Sequence, residues 1–144
     1  MTIQKENKVL REQTKKIENF NSPELQSLIK KMSEAMFGEP DGIGIAAPQI
    51  GESKKIFLIA EDVLQPQKLE ERIKSKESKN KNYFVFINPV FKKRSSKKAV
   101  DIEGCLSVRG VYGEVTRSEK VTIEYFNESG IKKTRGASGL LARV

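Results

Sequence analysis

The most informative stretches of this chain are GIGIAAPQIG at residues 42–51 and EGCLS at residues 103–107. Gly42 and Gly44 carry no side chain, so their backbone amide and carbonyl groups can come close to a ligand. Gln49 adds a side-chain amide that can donate a hydrogen bond to an oxygen that becomes negative during acyl transfer. A tight turn between a helix and a strand, with an incidental glutamine, is the alternative. The first segment therefore indicates either a ligand-binding loop or a plain turn.

The first segment also has the G-x-G-x-x-A spacing of dinucleotide-binding loops, but its context excludes that function. Such a loop follows a strand and opens a helix. Here a predicted helix precedes Gly42, and an apolar strand at residues 56–60 begins soon after Gly51. No room remains for a crossover helix, so we expect no nucleotide site.

Cys105, in the second segment, is the one cysteine of the chain and forms no disulfide within it. It can be an inert core residue, a nucleophile or a metal ligand. A nucleophilic cysteine commonly needs a histidine partner, and the chain contains no histidine. A metal site needs more ligands than one thiolate. Taken alone, the segment favours a buried core cysteine.

The composition predicts one domain in a soluble, cytoplasmic protein. A chain of 144 residues with 37% hydrophobic content can bury one modest core. No apolar run approaches the ~18 residues needed to cross a bilayer. The N-terminal residues lack the apolar stretch of a secretory signal. We therefore expect no membrane partner.

The formal net charge of +8 indicates attraction to polyanions. Lysine and arginine cluster on both sides of Ser95 and Ser96, at residues 92–94 and 97–98. A solvated lysine-rich surface is the simpler interpretation, and an RNA-associated surface is the alternative. Since no aromatic side chains are interleaved with these clusters, we expect no specific DNA partner.

Apolar periodicity predicts one helix near the N-terminus. Ser22 can cap it and Pro23 suits its first turn. Apolar residues then follow at helical spacing, and the helix is expected to end near Gly38, its stripe being Leu25, Leu28, Ile29, Met32 and Met36. Ser138 can cap a second helix that begins with Leu140 and Leu141.

Short apolar or alternating runs predict strands at residues 56–60, 83–89, 111–115, 121–126 and 131–134. The last three are expected to form an antiparallel meander, with a turn at residues 127–130. Residues 61–82 are rich in charged side chains, which predicts a mobile surface insertion with a frayed helix at residues 69–73.

Together the two segments closely resemble the peptide deformylase family. That family has a G-[IV]-G-[LIM]-A-A-x-Q-[IV]-G element, an E-G-C-L-S element and a Q-H-E-x-D-H element, in this order. The first two are present here almost letter for letter, and shorter landmarks match at residues 9–11, 87–89, 117–121 and 139–142. Arg109 departs from the resemblance, since relatives commonly carry proline there.

The resemblance implies an α+β fold with mixed and antiparallel β-sheets around a central helix, here truncated, and an N-terminal helix. It implies one domain over residues 1–144, incomplete at its C-terminal end. It also implies a role for each matching residue. Cys105 is the thiolate ligand of a divalent metal, Fe²⁺ in the cell and often Zn²⁺ or Ni²⁺ after purification. The other implied roles are formyl-oxygen binding by Gln49 and the backbone N–H of Leu106, substrate binding by Ile43, Gly44 and Leu140, and a structural pair of Glu103 with Arg117, for which two unrelated surface charges are the alternative.

The family reaction removes the N-formyl group from the initiator methionine of nascent polypeptides, at the ribosome. It needs two histidine ligands and a glutamate on a helix. None of these lies within residues 1–144, so we expect this chain alone to be inactive and to leave Phe84, Phe86 and Ile123 poorly covered. The alternatives are a non-catalytic peptide-binding relative and a basic RNA-associated protein.

Overall fold

The computed structural model of the protein describes residues 2, 6–76 and 81–144. These residues contain three α-helices, three short 3-10 helices and seven strands. The α-helices and strands follow in the order α1 (Pro23–Phe37), β1 (Gly44–Ala46), β2 (Ile56–Ala60), α2 (Pro66–Ser75), β3 (Tyr83–Arg94), β4 (Lys98–Cys105), β5 (Val108–Ser118), β6 (Lys120–Phe126), β7 (Lys132–Ser138) and α3 (Gly139–Arg143). The predicted α+β class is confirmed. No helix in the described part of the chain is long and apolar enough to cross a bilayer.

Helix α1 begins and ends where the sequence predicts. The hydroxyl oxygen of Ser22 accepts a hydrogen bond from the backbone N–H of Leu25 at 3.1 Å, which satisfies a donor that the first turn leaves free. The buried stripe of α1 consists of Leu25, Ile29, Met32, Ala35 and Met36. This stripe packs on one face of a sheet and forms the main core with it.

The strands form two separate antiparallel sheets. One has five strands in the order β1-β2-β3-β6-β7, and the other consists of β4 and β5. The strands predicted at residues 56–60 and 121–126 are confirmed as β2 and β6, and the strand predicted at residues 83–89 continues to Arg94 as part of β3. The predicted turn at residues 127–130 joins β6 to β7.

The predicted three-strand meander is wrong in part. β5 pairs with β4, a strand that the apolar pattern did not reveal, while β6 pairs with β3 and β7. Apolar alternation identifies a strand but not its partner, because pairing depends on contacts between distant segments. The cap predicted for α3 is also wrong in one respect, since Ser138 precedes the helix but its side chain makes no capping hydrogen bond.

The five-stranded sheet buries side chains on both faces. Alternate residues of β2 point in opposite directions, so Leu58 faces α1 while Phe57 and Ile59 face away from it. On that second face the ring of Phe86 stacks on Phe57, with centroids 4.7 Å apart, and lies 4.6 Å from the ring of Tyr125. The second face therefore has an aromatic cluster of its own.

The expected poor cover of Phe86 is wrong, because this side chain is only 1% exposed within the aromatic cluster. Phe84 and Ile123 are partly buried, and the guanidinium of Arg135 lies 4.2 Å from the centre of the Phe84 ring. Six of the exposed large apolar side chains belong to the end of β3 and to the two-stranded sheet: Val90, Phe91, Val100, Ile102, Val111 and Tyr112.

A buried ion pair ties α2 to the glycine-rich segment. Arg72 of α2 donates from Nε to Asp62 Oδ2 at 2.6 Å and from Nη1 to the carbonyl oxygen of Gly42 at 3.1 Å. The side chains of Arg72 and Asp62 are 5% and 9% exposed. The helix predicted near residues 69–73 is present as α2, and its buried arginine anchors it.

The mobility predicted for residues 61–82 remains a prediction. Residues 77–80 lie outside the described part of the chain.

We expect Asp62→Ala to destabilise the protein by about 3–5 kcal/mol, because it leaves the buried Arg72 guanidinium without its anion. Urea unfolding followed by circular dichroism measures this loss. Glu70→Ala is the matched control, since the Glu70–Lys74 pair lies on the same helix with side chains 64% and 74% exposed. Equal losses in the two variants would contradict the buried-pair interpretation.

Candidate active-site groove

A cavity of about 1300 Å³ lies between the two sheets and α3. The five-stranded sheet contributes Phe57 and Ile123 to its lining, and the two-stranded sheet contributes Ile102 and Tyr112. The cavity brings together every residue that the sequence singled out for the site: Ile43, Gly44, Gln49, Glu103, Cys105, Leu106, Arg117 and Leu140. Their individual roles stay predictions.

The side chain of Gln49 is held in one orientation. Its Oε1 accepts a hydrogen bond from the backbone N–H of Ala46 at 2.8 Å. Its Nε2 then lies 3.8 Å from the Sγ of Cys105, on the opposite wall of the groove. The Ala46 contact thus turns the donor end of the amide toward the thiol, so the groove has a fixed N–H donor beside it.

Strand β1 forms an edge of the five-stranded sheet. It pairs on one side with β2, through Gly44 and Ile59 among others. A Cβ atom on Gly44 would lie 2.5 Å from Cγ1 of Val144, which follows α3. A larger residue at position 44 would therefore require the Val144 side chain to move.

Cys105 is the last residue of strand β4 and directly precedes the tight turn into β5. Its register partner is Val108, and a bulge interrupts the pairing between Gly104 and Cys105. A bulge redirects side chains next to it. Cys105 is exposed, which excludes the interpretation of a buried core cysteine.

The carboxylate of Glu103 holds two guanidinium groups on the same wall. Arg117 donates to its two oxygens at 2.6 and 2.7 Å, and Arg143 donates to Oε1 at 2.8 Å. The hydrogen bond from Arg117, aided by that from Arg143, lowers the pKa of Glu103 below its ordinary value of 4.5, against the opposing effect of burial. Glu103 and Arg117 therefore form a bidentate ion pair.

Sequence reasoning missed Arg143, which lies in α3. Its side chain is 10% exposed and reaches the two-stranded sheet. Its Nη1 donates to the carbonyl oxygen of Val115 at 3.0 Å, and its Nη2 donates to that of Ala99 at 2.9 Å. No local signal could have revealed this role, because two of its acceptors are backbone atoms of strands whose pairing was unknown.

Arg109 lies at the start of β5, where the resemblance expects proline, and forms an ion pair with Glu39. Glu39 follows α1, so the pair joins the α1 side of the molecule to the two-stranded sheet. The hydrogen bond from Arg109 holds the pKa of Glu39 below its ordinary value of 4.5, with burial acting in the opposite direction.

The described residues do not bring a full set of metal ligands together. Cys105 offers one thiolate, and the chain contains no histidine. Among the described residues, no three histidine, cysteine or carboxylate side chains come together in a way that could hold an ion. A stable protein site for a transition metal needs three or four such ligands, so the described residues do not supply a complete set.

The known proteins that this chain resembles belong to one family. A family model described as Polypeptide deformylase matches residues 2–144. Peptide deformylase 2 of Gloeobacter violaceus is 38% identical over 136 residues, which cover 94% of this chain and 65% of that protein. The peptide deformylase of Roseiflexus castenholzii is 41% identical over 126 residues, covering 85% and 65%. The chain thus spans about 65% of the length of these relatives.

Solved structures show the same architecture. The peptide deformylase of Thermotoga maritima superposes with a TM-score of 0.82 at 28% identity, over 100% of this chain and 84% of that one. The Synechococcus elongatus enzyme, solved in complex with actinonin, gives 0.81 at 32% identity, over 99% and 68%. Since these alignments cover essentially the whole chain, α1, both sheets and α3 all belong to the shared fold.

We expect the Glu39–Arg109 pair to stabilise the protein near neutral pH and to lose its effect in acid. The lowered pKa of Glu39 means that the contribution is present above the ordinary value of 4.5 and disappears as the pH falls through the pKa of the folded state. Urea unfolding of Glu39→Gln, Arg109→Gln and the double variant, at pH 7 and pH 3, gives the coupling free energy. A coupling that is unchanged at pH 3 would contradict this assignment.

Proposed function

The chain belongs to the polypeptide deformylase family, and we propose that its groove binds the formylated amino terminus of a peptide for removal of the formyl group. One observation carries the proposal. The GIGIAAPQIG and EGCLS segments meet across the groove, where Gln49 Nε2 lies 3.8 Å from Cys105 Sγ. A donor amide and a thiol on opposite walls define the place where the formyl group would sit.

Gln49 and the backbone N–H of Leu106 are the proposed donors to the formyl oxygen. This oxygen gains negative charge when the carbonyl carbon becomes tetrahedral, so fixed N–H donors stabilise the transition state more than the substrate. Gln49 suits the role because Ala46 already occupies its Oε1. Its Nε2 needs no reorientation when the charge develops.

The edge of β1 is the proposed binding site for the peptide backbone. An extended peptide can add to such an edge through main-chain hydrogen bonds. Gly44 lies on that edge, and Ile43 and Leu140 give the adjoining apolar surface, where Leu140 is 38% exposed. We propose that this surface accepts the methionine side chain.

The family activity implies a divalent ion, Fe²⁺ or, after purification, Zn²⁺ or Ni²⁺. Cys105 is the proposed thiolate ligand, and in the described part of the chain no two further histidine, cysteine or carboxylate side chains join it in a metal-binding group. The chain contains no histidine, so residues 1–144 supply none of the proposed imidazole ligands. We propose that residues 1–144 alone bind a formylated peptide without hydrolysing it, as a non-catalytic peptide-binding relative would.

The proposed physiological partner is the nascent polypeptide at the ribosome, in the cytoplasm. The net charge of +8 is compatible with work near RNA. Within the lysine clusters, however, Lys97 pairs with Glu119 and Lys92 lies 4.0 Å from Glu124. This partial neutralisation supports a solvated surface over a dedicated RNA-binding function.

We expect the purified 1–144 polypeptide to release no formate from formyl-Met-Ala-Ser, with or without added Fe²⁺, Zn²⁺ or Ni²⁺. One thiolate cannot hold the ion with useful affinity, and the nearby Glu103 carboxylate is engaged by Arg117 and Arg143. A coupled formate assay measures the turnover. Metal-dependent formate release by the pure polypeptide would refute the proposed inactivity.

We expect the same polypeptide to bind formyl-Met-Ala-Ser more tightly than Met-Ala-Ser, and Gln49→Glu to abolish most of this preference. Glutamate keeps an oxygen for the Ala46 N–H but replaces the N–H donor with a second acceptor. Loss of one such hydrogen bond corresponds to a change of roughly tenfold in affinity. Isothermal titration calorimetry measures both peptides.

Gln67→Glu is the matched control for this charge change, since Gln67 lies exposed on α2. It should keep the preference for the formylated peptide. Equal affinities of the unmodified chain for the two peptides would count against the proposed formyl-binding role of Gln49.

A further inference from the structure

Arg143 connects the two sheets through a side chain that is nearly buried. Helix α3 begins directly after β7, so its backbone continues from the five-stranded sheet. The guanidinium nevertheless makes its hydrogen bonds to the other sheet, with Ala99 and Glu103 on β4 and Val115 on β5. Its Nε also lies 3.8 Å from Asp101 Oδ2 on β4.

We infer that Arg143 is a positioning residue that holds the Cys105 end of the two-stranded sheet at its working distance from Gln49. Among the described residues, backbone hydrogen bonds join the two sheets at the short β3–β4 and β5–β6 connections, for example from the Ser95 N–H to the Lys120 carbonyl oxygen at 2.9 Å. Away from these connections the sheets share no ladder, so their separation across the groove depends on side chains. A guanidinium presents its donors in a rigid planar fork, and here one fork engages both strands of the opposite sheet. Movement of that sheet would break several of these bonds at once.

Because the Arg143 guanidinium is nearly buried, it needs protein hydrogen-bond partners. The Arg143 side chain is 10% exposed, and a charged group at that depth needs hydrogen-bond partners to replace water. Two of its partners are backbone carbonyl groups, whose positions are set by the β4–β5 pairing itself. The contact therefore fixes the sheet as a body and not merely one flexible side chain.

The partners of Arg143 lie close to the thiol. Glu103 precedes Cys105 by two residues on β4. The same groove wall therefore carries the Arg143 contact and the Cys105 Sγ that lies 3.8 Å from Gln49 Nε2. The other described ion pair across the molecule, from Glu39 to Arg109, ends on an arginine whose side chain is 52% exposed, so water competes with it.

Arg117 provides a natural comparison. It binds the same Glu103 carboxylate, but it lies on β5 and therefore bonds within the two-stranded sheet. Its side chain is 47% exposed. Loss of Arg117 should loosen the carboxylate without changing the separation of the sheets.

Pulsed electron-electron double resonance tests the inference directly. Nitroxide labels at Lys30→Cys on α1 and Glu114→Cys on β5, in a Cys105→Ser background, report the distance between the two sides of the groove. Both positions are exposed. We expect Arg143→Met to broaden the distance distribution and shift it to longer distances, and Arg117→Met to leave it unchanged. An unchanged distribution in Arg143→Met, or equal broadening in both variants, would overturn the inference.

Conservative variants keep the test decisive if Arg143→Met fails to fold. Lysine keeps the charge opposite Glu103 but cannot bond the carbonyl groups of both strands with a planar fork. We expect Arg143→Lys to broaden the distribution more than Arg117→Lys does, at matched circular dichroism spectra. Equal distributions in these two variants would overturn the inference.

The inference rests on the proposed function in one respect, because it takes the Gln49–Cys105 distance as the one that matters for peptide binding. The labels read the separation of the sheets without peptide. A failure to bind formyl-Met-Ala-Ser would therefore contradict the proposed function and leave this distance measurement as it stands.

Discussion

The two sheets of this protein are joined through backbone at the short β3–β4 and β5–β6 connections, and beyond these connections side chains that cross the gap set their separation. The geometry of the groove depends on this constraint. Backbone pairing fixes each sheet internally, with strand spacing that varies little. The gap has no such regular spacing, and the 3.8 Å approach of Gln49 Nε2 to Cys105 Sγ is a property of the assembled pair of sheets.

The polar contacts that hold the two walls of the groove are buried. The Asp62–Arg72 pair is almost fully buried and fixes the backbone of Gly42, at the base of the first segment. Arg143 is nearly as buried and fixes the second wall. Surface pairs are weakened by water and salt, whereas a buried pair is lost only at the cost of an uncompensated charge. Each wall of the groove is therefore held by a buried polar contact, and movement of the wall would leave a buried charge without its partner.

The chemistry follows from how the walls present their polar groups. Ala46 fixes the Gln49 amide, and the bulge before Cys105 leaves the thiol exposed. The groove thus offers the N–H donor of Gln49, the edge of β1 and an exposed thiol. The proposed binding of a formylated peptide rests on these features. The sequence contains no histidine, so residues 1–144 supply no imidazole ligand.

The sequence by itself determined the local elements and the family. The Ser22 cap, the stripe of α1 and strand β2 follow from side-chain preferences within a few residues, and GIGIAAPQIG with EGCLS is specific enough to identify the relatives. The tertiary structure alone decided that β4 partners β5, that Phe86 is buried, and that Arg143 and Arg72 reach distant carbonyl oxygens. Those contacts join residues far apart in the chain, and no local pattern encodes which long side chain will meet which backbone group.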